Sequence, residues 1–145
     1  MSTAMSRLNS AAANMCAVWN DVNPDNVPPR YIDTAPVKDA IGEFVVSICK
    51  VCSELALNFK DVANYNVGKD AGPLASEGRI YSQCRMMVMI CRENLLVARE
   101  RVYKVAFDIN YGSDDDVQGD LCGLFYLAQD FMYTLCGENI SIPGY

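Results

Sequence analysis

Residues 76–109 read SEGRIYSQCRMMVMICRENLLVARERVYKVAFDI, and this run decides the fold class of the chain. Apolar side chains recur in it at every third or fourth position. They form one stripe: Ile80, Cys84, Met87, Cys91, Leu95, Ala98, Val102, Val105 and Ile109. That period belongs to one face of an α-helix, whereas a half-buried strand alternates at every second residue. We therefore predict a long helix that begins near Ser76 and ends at Gly112.

The residues that follow predict another helix, capped by Ser113 and ended by Gly137. Its first turn, Asp114 to Asp116, consists of three aspartates, and the positive end of the helix dipole stabilises carboxylates at this position. The last residues, 138–145, are predicted to form an extended C-terminal tail.

Upstream, the same period predicts two more helices, over residues 2–22 with Ser2 as the cap and over residues 34–62 with Thr34 as the cap. Between them, residues 23–34 contain three prolines and are predicted to form an extended connector. No segment fits a strand pattern better than the helical one. The four helices predict an all-α fold, an elongated four-helix bundle with a Pro-rich connector and a tail.

The chain has 145 residues, which is the size of one domain, so we expect residues 1–145 to form a single helical unit. The connector between the first two helices is twelve residues long and spans up to ~40 Å when extended. That reach is sufficient for residues 1–22 to leave their own bundle, so this helix is a candidate for a detachable or swapped arm.

The composition argues against an enzyme. The chain contains no histidine, which removes the usual general base near neutral pH, the commonest metal ligand and the partner of most serine and cysteine nucleophiles. No catalytic residue, cofactor or metal is predicted. The net charge of −6 opposes general attraction to polyanions.

The sequence predicts a cytoplasmic protein without a membrane span. The N-terminus has no apolar segment, and Ser2 stands where myristoylation needs glycine. The longest apolar stretch, residues 121–136, is interrupted by Gln129 and Asp130 and is too short to cross a bilayer. The seven cysteines follow the helical apolar pattern, so we interpret them as reduced core residues.

A second apolar stripe on the long helix predicts a protein interface. Arg85, Arg92 and Arg99 repeat every seven residues, and a large apolar residue follows each of them four positions later. In addition, residues 86–90 and 124–128 are apolar in every direction around their helices, so some of them must face outward. We expect a homo-oligomer or a protein partner to cover the predicted interface residues: Met86, Met89, Ile90, Leu96, Tyr103, Tyr126 and Leu127.

Two alternatives stay open at this point. Arg85, Arg92 and Arg99 could instead contact a nucleic-acid backbone, as in a packaging protein of the coat or nucleocapsid kind, or an acidic partner. This alternative is less favoured, because the row lacks dense lysine support and stacking aromatics. Cys49 and Cys52 form a CxxC motif that suits half of a metal or redox site, but core packing is the favoured interpretation.

Overall fold

The computed structural model describes residues 2–65 and 86–140, and every regular element within these two ranges is helical. This confirms the predicted all-α fold. The helices are α1 (Thr3–Val22), α2 (Ala35–Glu54), α3 (Phe59–Ala63), α4 (Met86–Tyr111) and α5 (Asp114–Cys136). The connector adds one short 3-10 turn, Pro29–Tyr31.

Two helix pairs build the bundle. α1 packs along α2, and α4 packs along α5; α1 then contacts α4, and α2 contacts α5. One continuous core fills the space between the four long helices, and its largest fully buried side chains include Trp19, Phe44 and Phe131. α1 thus packs on its own chain, and an exchange of this helix between copies stays a prediction.

The link of two residues between α4 and α5 makes them antiparallel neighbours, and polar contacts fix how they align. The side-chain amide of Asn94 donates a hydrogen bond of 2.9 Å to Asp130, and both residues are buried. Nearer the link, the Lys104 ammonium lies 2.9 Å from the Asp120 carboxylate. These contacts hold one register between the two helices.

The helix ends confirm most of the predicted caps. The Ser2 hydroxyl accepts from the Met5 amide, and Ser113 forms a capping box with Asp116 at the start of α5. Gly137 ends α5 in the left-handed conformation, with φ at 71°. The cap of α2 is a correction: Thr34 stands at the cap position but makes no side-chain bond.

The predicted helix over residues 34–62 is also a correction, since the structure divides it into α2 and α3. The amide of Leu57 donates to the Cys52 carbonyl at 2.8 Å, and the amide of Ala56 donates to the Ser53 carbonyl at 3.1 Å. This pattern is a Schellman motif, which closes a helix C-terminus. Asn58 then caps α3 by accepting from the Lys60 amide.

The division redirects the chain toward α5. Phe59, the first residue of α3, meets Phe125 edge to face with ring centroids 5.2 Å apart. Val62 and Ala63 are buried beside it. A helix that continued straight from α2 would carry these side chains past α5, so the turn gains core packing in exchange for a few backbone hydrogen bonds.

The described part of the tail, residues 138–140, has no regular secondary structure and lies against the bundle. The Ile140 amide donates to the Gln129 side chain at 2.9 Å, and Glu138 pairs with Lys38 at 2.7 Å. The rest of the predicted tail, 141–145, and the predicted start of the long helix, 76–85, lie outside the described residues.

We expect the substitution Ala56→Gly to stabilise the fold. Ala56 has φ at 57°, a left-handed conformation that strains a residue with a Cβ atom and leaves glycine unstrained. Urea denaturation should show a gain of about 0.5–1 kcal/mol in the free energy of unfolding. The control is Ala17→Gly on the exposed face of α1, which should lose about 1 kcal/mol. A loss at both positions would contradict the motif.

Candidate interaction surface

One face of α4 carries most of the exposed large apolar side chains in the described residues. We call this set the outer stripe: Met86, Met89, Leu96, Tyr103, Phe107 and Tyr111. Their exposed fractions run from 41% to 78%. From Met89 to Tyr111 the outer stripe is ~33 Å long at about 1.5 Å per residue. Single exposed apolar residues are common, whereas a row of this length makes the outer stripe a candidate interaction surface.

The outer stripe is exposed because the opposite face of α4 already fills the core. Cys91, Leu95 and Val105, at helical spacing, are buried between α1 and α5. A helix in a four-helix bundle covers only one such stripe with its own neighbours. The second apolar face of α4 therefore stays outside the bundle.

The predicted interface residues divide into two groups in the structure. Met86, Met89, Leu96 and Tyr103 are exposed on α4. Ile90 is a correction, because only 7% of it is exposed. It lies four residues before Asn94, which donates a hydrogen bond to Asp130 of α5, so it belongs to the side of α4 that faces α5.

The two predicted interface residues of α5 are half-buried by the chain itself. Leu127 packs against the core cluster. Tyr126 lies edge to face with Phe125 at 6.1 Å, and burial raises the pKa of its phenol. The apolar run of α5 is therefore largely buried against other described residues of the same chain, and the candidate surface is on α4.

Phe107 and Tyr111 belong to the outer stripe, although the sequence analysis did not include them. Their rings contact each other with centroids 5.0 Å apart. The predicted stripe followed steps of seven residues from Met89, and after Tyr103 the exposed row continues in steps of four. A helical projection centred on Leu96, without an assumed heptad, would have found both residues.

Charged pairs flank the outer stripe. Arg92 and Arg99 are exposed, and each is followed directly by an exposed glutamate, Glu93 and Glu100. None of the four makes an ion pair with another described residue under 4.0 Å. Arg99 lies near the Cys16 thiol of α1, which shows how far its side chain leans toward that helix. The third predicted arginine, Arg85, lies outside the described residues.

The structure also brings together two carboxylates that the sequence analysis did not pair. Lys104 lies 2.9 Å from both Asp108, one turn further along α4, and Asp120 on α5. Burial, followed by hydrogen bonding to Asp108, raises the pKa of Asp120 to about 6. The pKa of Asp108 is lowered by its hydrogen bonds to Asp120 and to Lys104. Because this cluster joins α4 to α5, its arrangement is that of a structural clamp.

We expect the Asp120 carboxyl to titrate with a midpoint near pH 6 in carbon-13 NMR. Replacing Lys104 by Met should raise this midpoint further, since Lys104 stabilises the ionised form. Because the folded state holds this proton more tightly than the unfolded chain, the contribution of Asp120 to stability is lost as pH rises from about 4 to 7. Relative to Asp120→Asn, the wild type should lose stability over that window. A midpoint below pH 4 would contradict the described cluster.

Burial raises the pKa of five cysteine thiols in the described residues: Cys16, Cys49, Cys52, Cys91 and Cys136. None of the six cysteines in the described ranges forms a disulfide, and Cys52, Cys91 and Cys122 are buried. Burial raises the pKa of Cys49, and burial followed by the charge of Cys49 raises the pKa of Cys52 to about 12. No group of three or more Cys, Asp or Glu side chains in the described residues is arranged to hold a metal ion.

The CxxC thiols should therefore react slowly in the folded protein. A disulfide reagent at pH 8 is expected to modify Cys52 only as fast as the protein opens, because the reactive thiolate is suppressed by burial. The measurement is mass-resolved labelling of the native protein against the protein in denaturant. Modification of Cys49 and Cys52 within seconds under native conditions would revive the redox alternative.

Comparison of the chain with protein-family models, with curated proteins and with solved structures finds no match in any of the three. Among the described helices, none combines the length and the apolar character that a bilayer crossing requires.

Proposed function

We propose that this protein is a non-enzymatic assembly protein that self-associates through the outer stripe of α4. The observation that carries the proposal is the row of exposed apolar side chains from Met86 to Tyr111. Large aromatic and methionine side chains interleaved with arginine are typical of protein interfaces. Burying them against another helix removes apolar surface from water, which is the main driving force of association.

A macromolecular partner suits this surface better than a small ligand. The outer stripe is a convex helix face about 33 Å long, whereas small-molecule sites are concave and enclose their ligand. A second helix laid along α4 can cover most of the row at once. The free thiols further favour a reducing compartment, and we propose the cytoplasm.

The nucleic-acid alternative is less favoured. Arg92 and Arg99 supply two positive charges to the exposed face of α4, and Glu93 and Glu100 beside them supply two negative ones. A phosphate backbone would meet no net attraction there. Lys104, a further cation of α4 in the described residues, is already paired with Asp108 and Asp120.

We expect Leu96→Glu to abolish most of the association. Leu96 lies in the middle of the outer stripe and is 60% exposed, so the fold should tolerate glutamate there while an interface would have to bury its charge. Sedimentation equilibrium from about 1 to about 200 µM should show a wild-type mass above 16.0 kDa. The dissociation constant of the variant should be at least about tenfold higher than that of the wild type.

The matched control is Tyr31→Glu. Tyr31 is 62% exposed and belongs to the connector, not to the outer stripe, so the same charge change should leave the association intact. A wild type that stays at the mass of one chain over the whole range would show the proposal to be wrong. Equal weakening by both variants would move the interface away from α4.

A further inference from the structure

We infer that the occupant of the outer stripe is a second copy of this chain, with its α4 parallel to the first and related to it by a two-fold axis along the helices. The inference rests on the proposed function and goes beyond it by assigning the orientation. The observation is the order of charges on α4: each arginine comes immediately before a glutamate, Arg92 before Glu93 and Arg99 before Glu100.

Two copies would meet along one line on α4. Met89, Leu96 and Tyr103 are seven residues apart and all exposed. Seven residues are nearly two turns, so these side chains lie on one line that drifts by only about 20° per step. The line carries one apolar residue per heptad, where a coiled coil has two, and we take it as the contact seam of a left-handed helix pair, in which each of these side chains meets the corresponding position of the partner.

The charged side chains lie on either side of that line. At about 100° per residue, Arg92 lies about 50° to one side of the line and Glu93 about 50° to the other, at nearly the same height. Arg99 and Glu100 repeat the arrangement one heptad later. One border of the seam is therefore basic and the other acidic.

Two copies can face each other with their α4 helices parallel or antiparallel, and the two-fold axis pairs the charged borders differently in the two cases. With parallel helices, a two-fold axis along the seam brings the basic border of one copy to the acidic border of the other. Arg92 then faces Glu93 of the second copy, Glu93 faces its Arg92, and the pairs at 99 and 100 do the same. Four ion pairs form when residues of the same number in the two copies lie at the same height.

An antiparallel pair has the opposite result. Its two-fold axis is perpendicular to the helices and brings each border against the same border of the other copy. Arg92 and Arg99 would face arginines, and Glu93 and Glu100 would face glutamates. The apolar line is similar in both orientations, so the charges select the parallel one.

None of the four side chains has an ion-pair partner in the part of the chain that the structure describes, and the group beside Arg99 is the Cys16 thiol, which is neutral because burial raises its pKa. The seam also continues to Asn110, which is exposed and seven residues beyond Tyr103. In a parallel pair in register, Asn110 faces Asn110 of the second copy. A single polar residue at such a position favours that register over shifted ones.

The test is a variant that reverses the order of the charges, R92E/E93R/R99E/E100R. It has the composition and net charge of the wild type, and its parallel homodimer keeps all four ion pairs. We expect its dimer dissociation constant to lie within about threefold of the wild-type value. When differently tagged wild type and variant are mixed, parallel heterodimers would place like charges together.

Native mass spectrometry of the equilibrated mixture should therefore find heterodimers well below about half of all dimers, the value for indifferent pairing. Heterodimers above that value would identify the antiparallel pair and overturn the inference, while the proposed self-association would stand. Monomers throughout would remove the proposed function itself. A second variant, R92E/R99E, makes both borders acidic and should weaken the homodimer about tenfold at low salt. Unchanged association of this variant would also contradict the pairing.

Discussion

α4 is apolar on two opposite faces, and the described part of the chain covers only one of them. The inner face, with Cys91, Leu95 and Val105, is buried in the bundle, and the outer stripe is left in water. Hydrophobic attraction has no direction, so either face alone could have packed on α1 and α5. The molecule needs a further interaction that decides which face turns inward.

The polar contacts between α4 and α5 determine which face of α4 turns inward. The buried hydrogen bond from Asn94 to Asp130 and the clamp of Lys104 on Asp120 are satisfied only when α4 presents its inner face. Turning the helix would leave buried polar groups without partners, which costs more than an apolar contact gains. The polar contacts therefore hold the outer stripe outside the bundle, and the exposure of Leu96 and Phe107 follows from them.

The sequence alone predicted what depends on local pattern and missed what depends on contact. Period and caps determined the helical class, the start of α5 at Ser113 and its end at Gly137. The break after α2 was missed because Ala56 adopts a conformation that a glycine normally marks, and Phe59 gains its partner Phe125 from far along the chain. Ile90 could not be assigned to a face before the register with α5 was known.

An apolar stripe and an ordered pair of charges do different work in an association. In the proposed dimer the outer stripe would supply affinity, but it would accept many apolar surfaces, and in a crowded solution that is a route to aggregation. The doublets Arg92–Glu93 and Arg99–Glu100 interrupt it at two heights and add little affinity, because exposed ion pairs are each worth about 0.2–1 kcal/mol. What they add is a penalty on every partner whose charges do not match. The alternation of arginine and glutamate beside a row of large side chains is thus the arrangement expected where one particular neighbour is to be chosen.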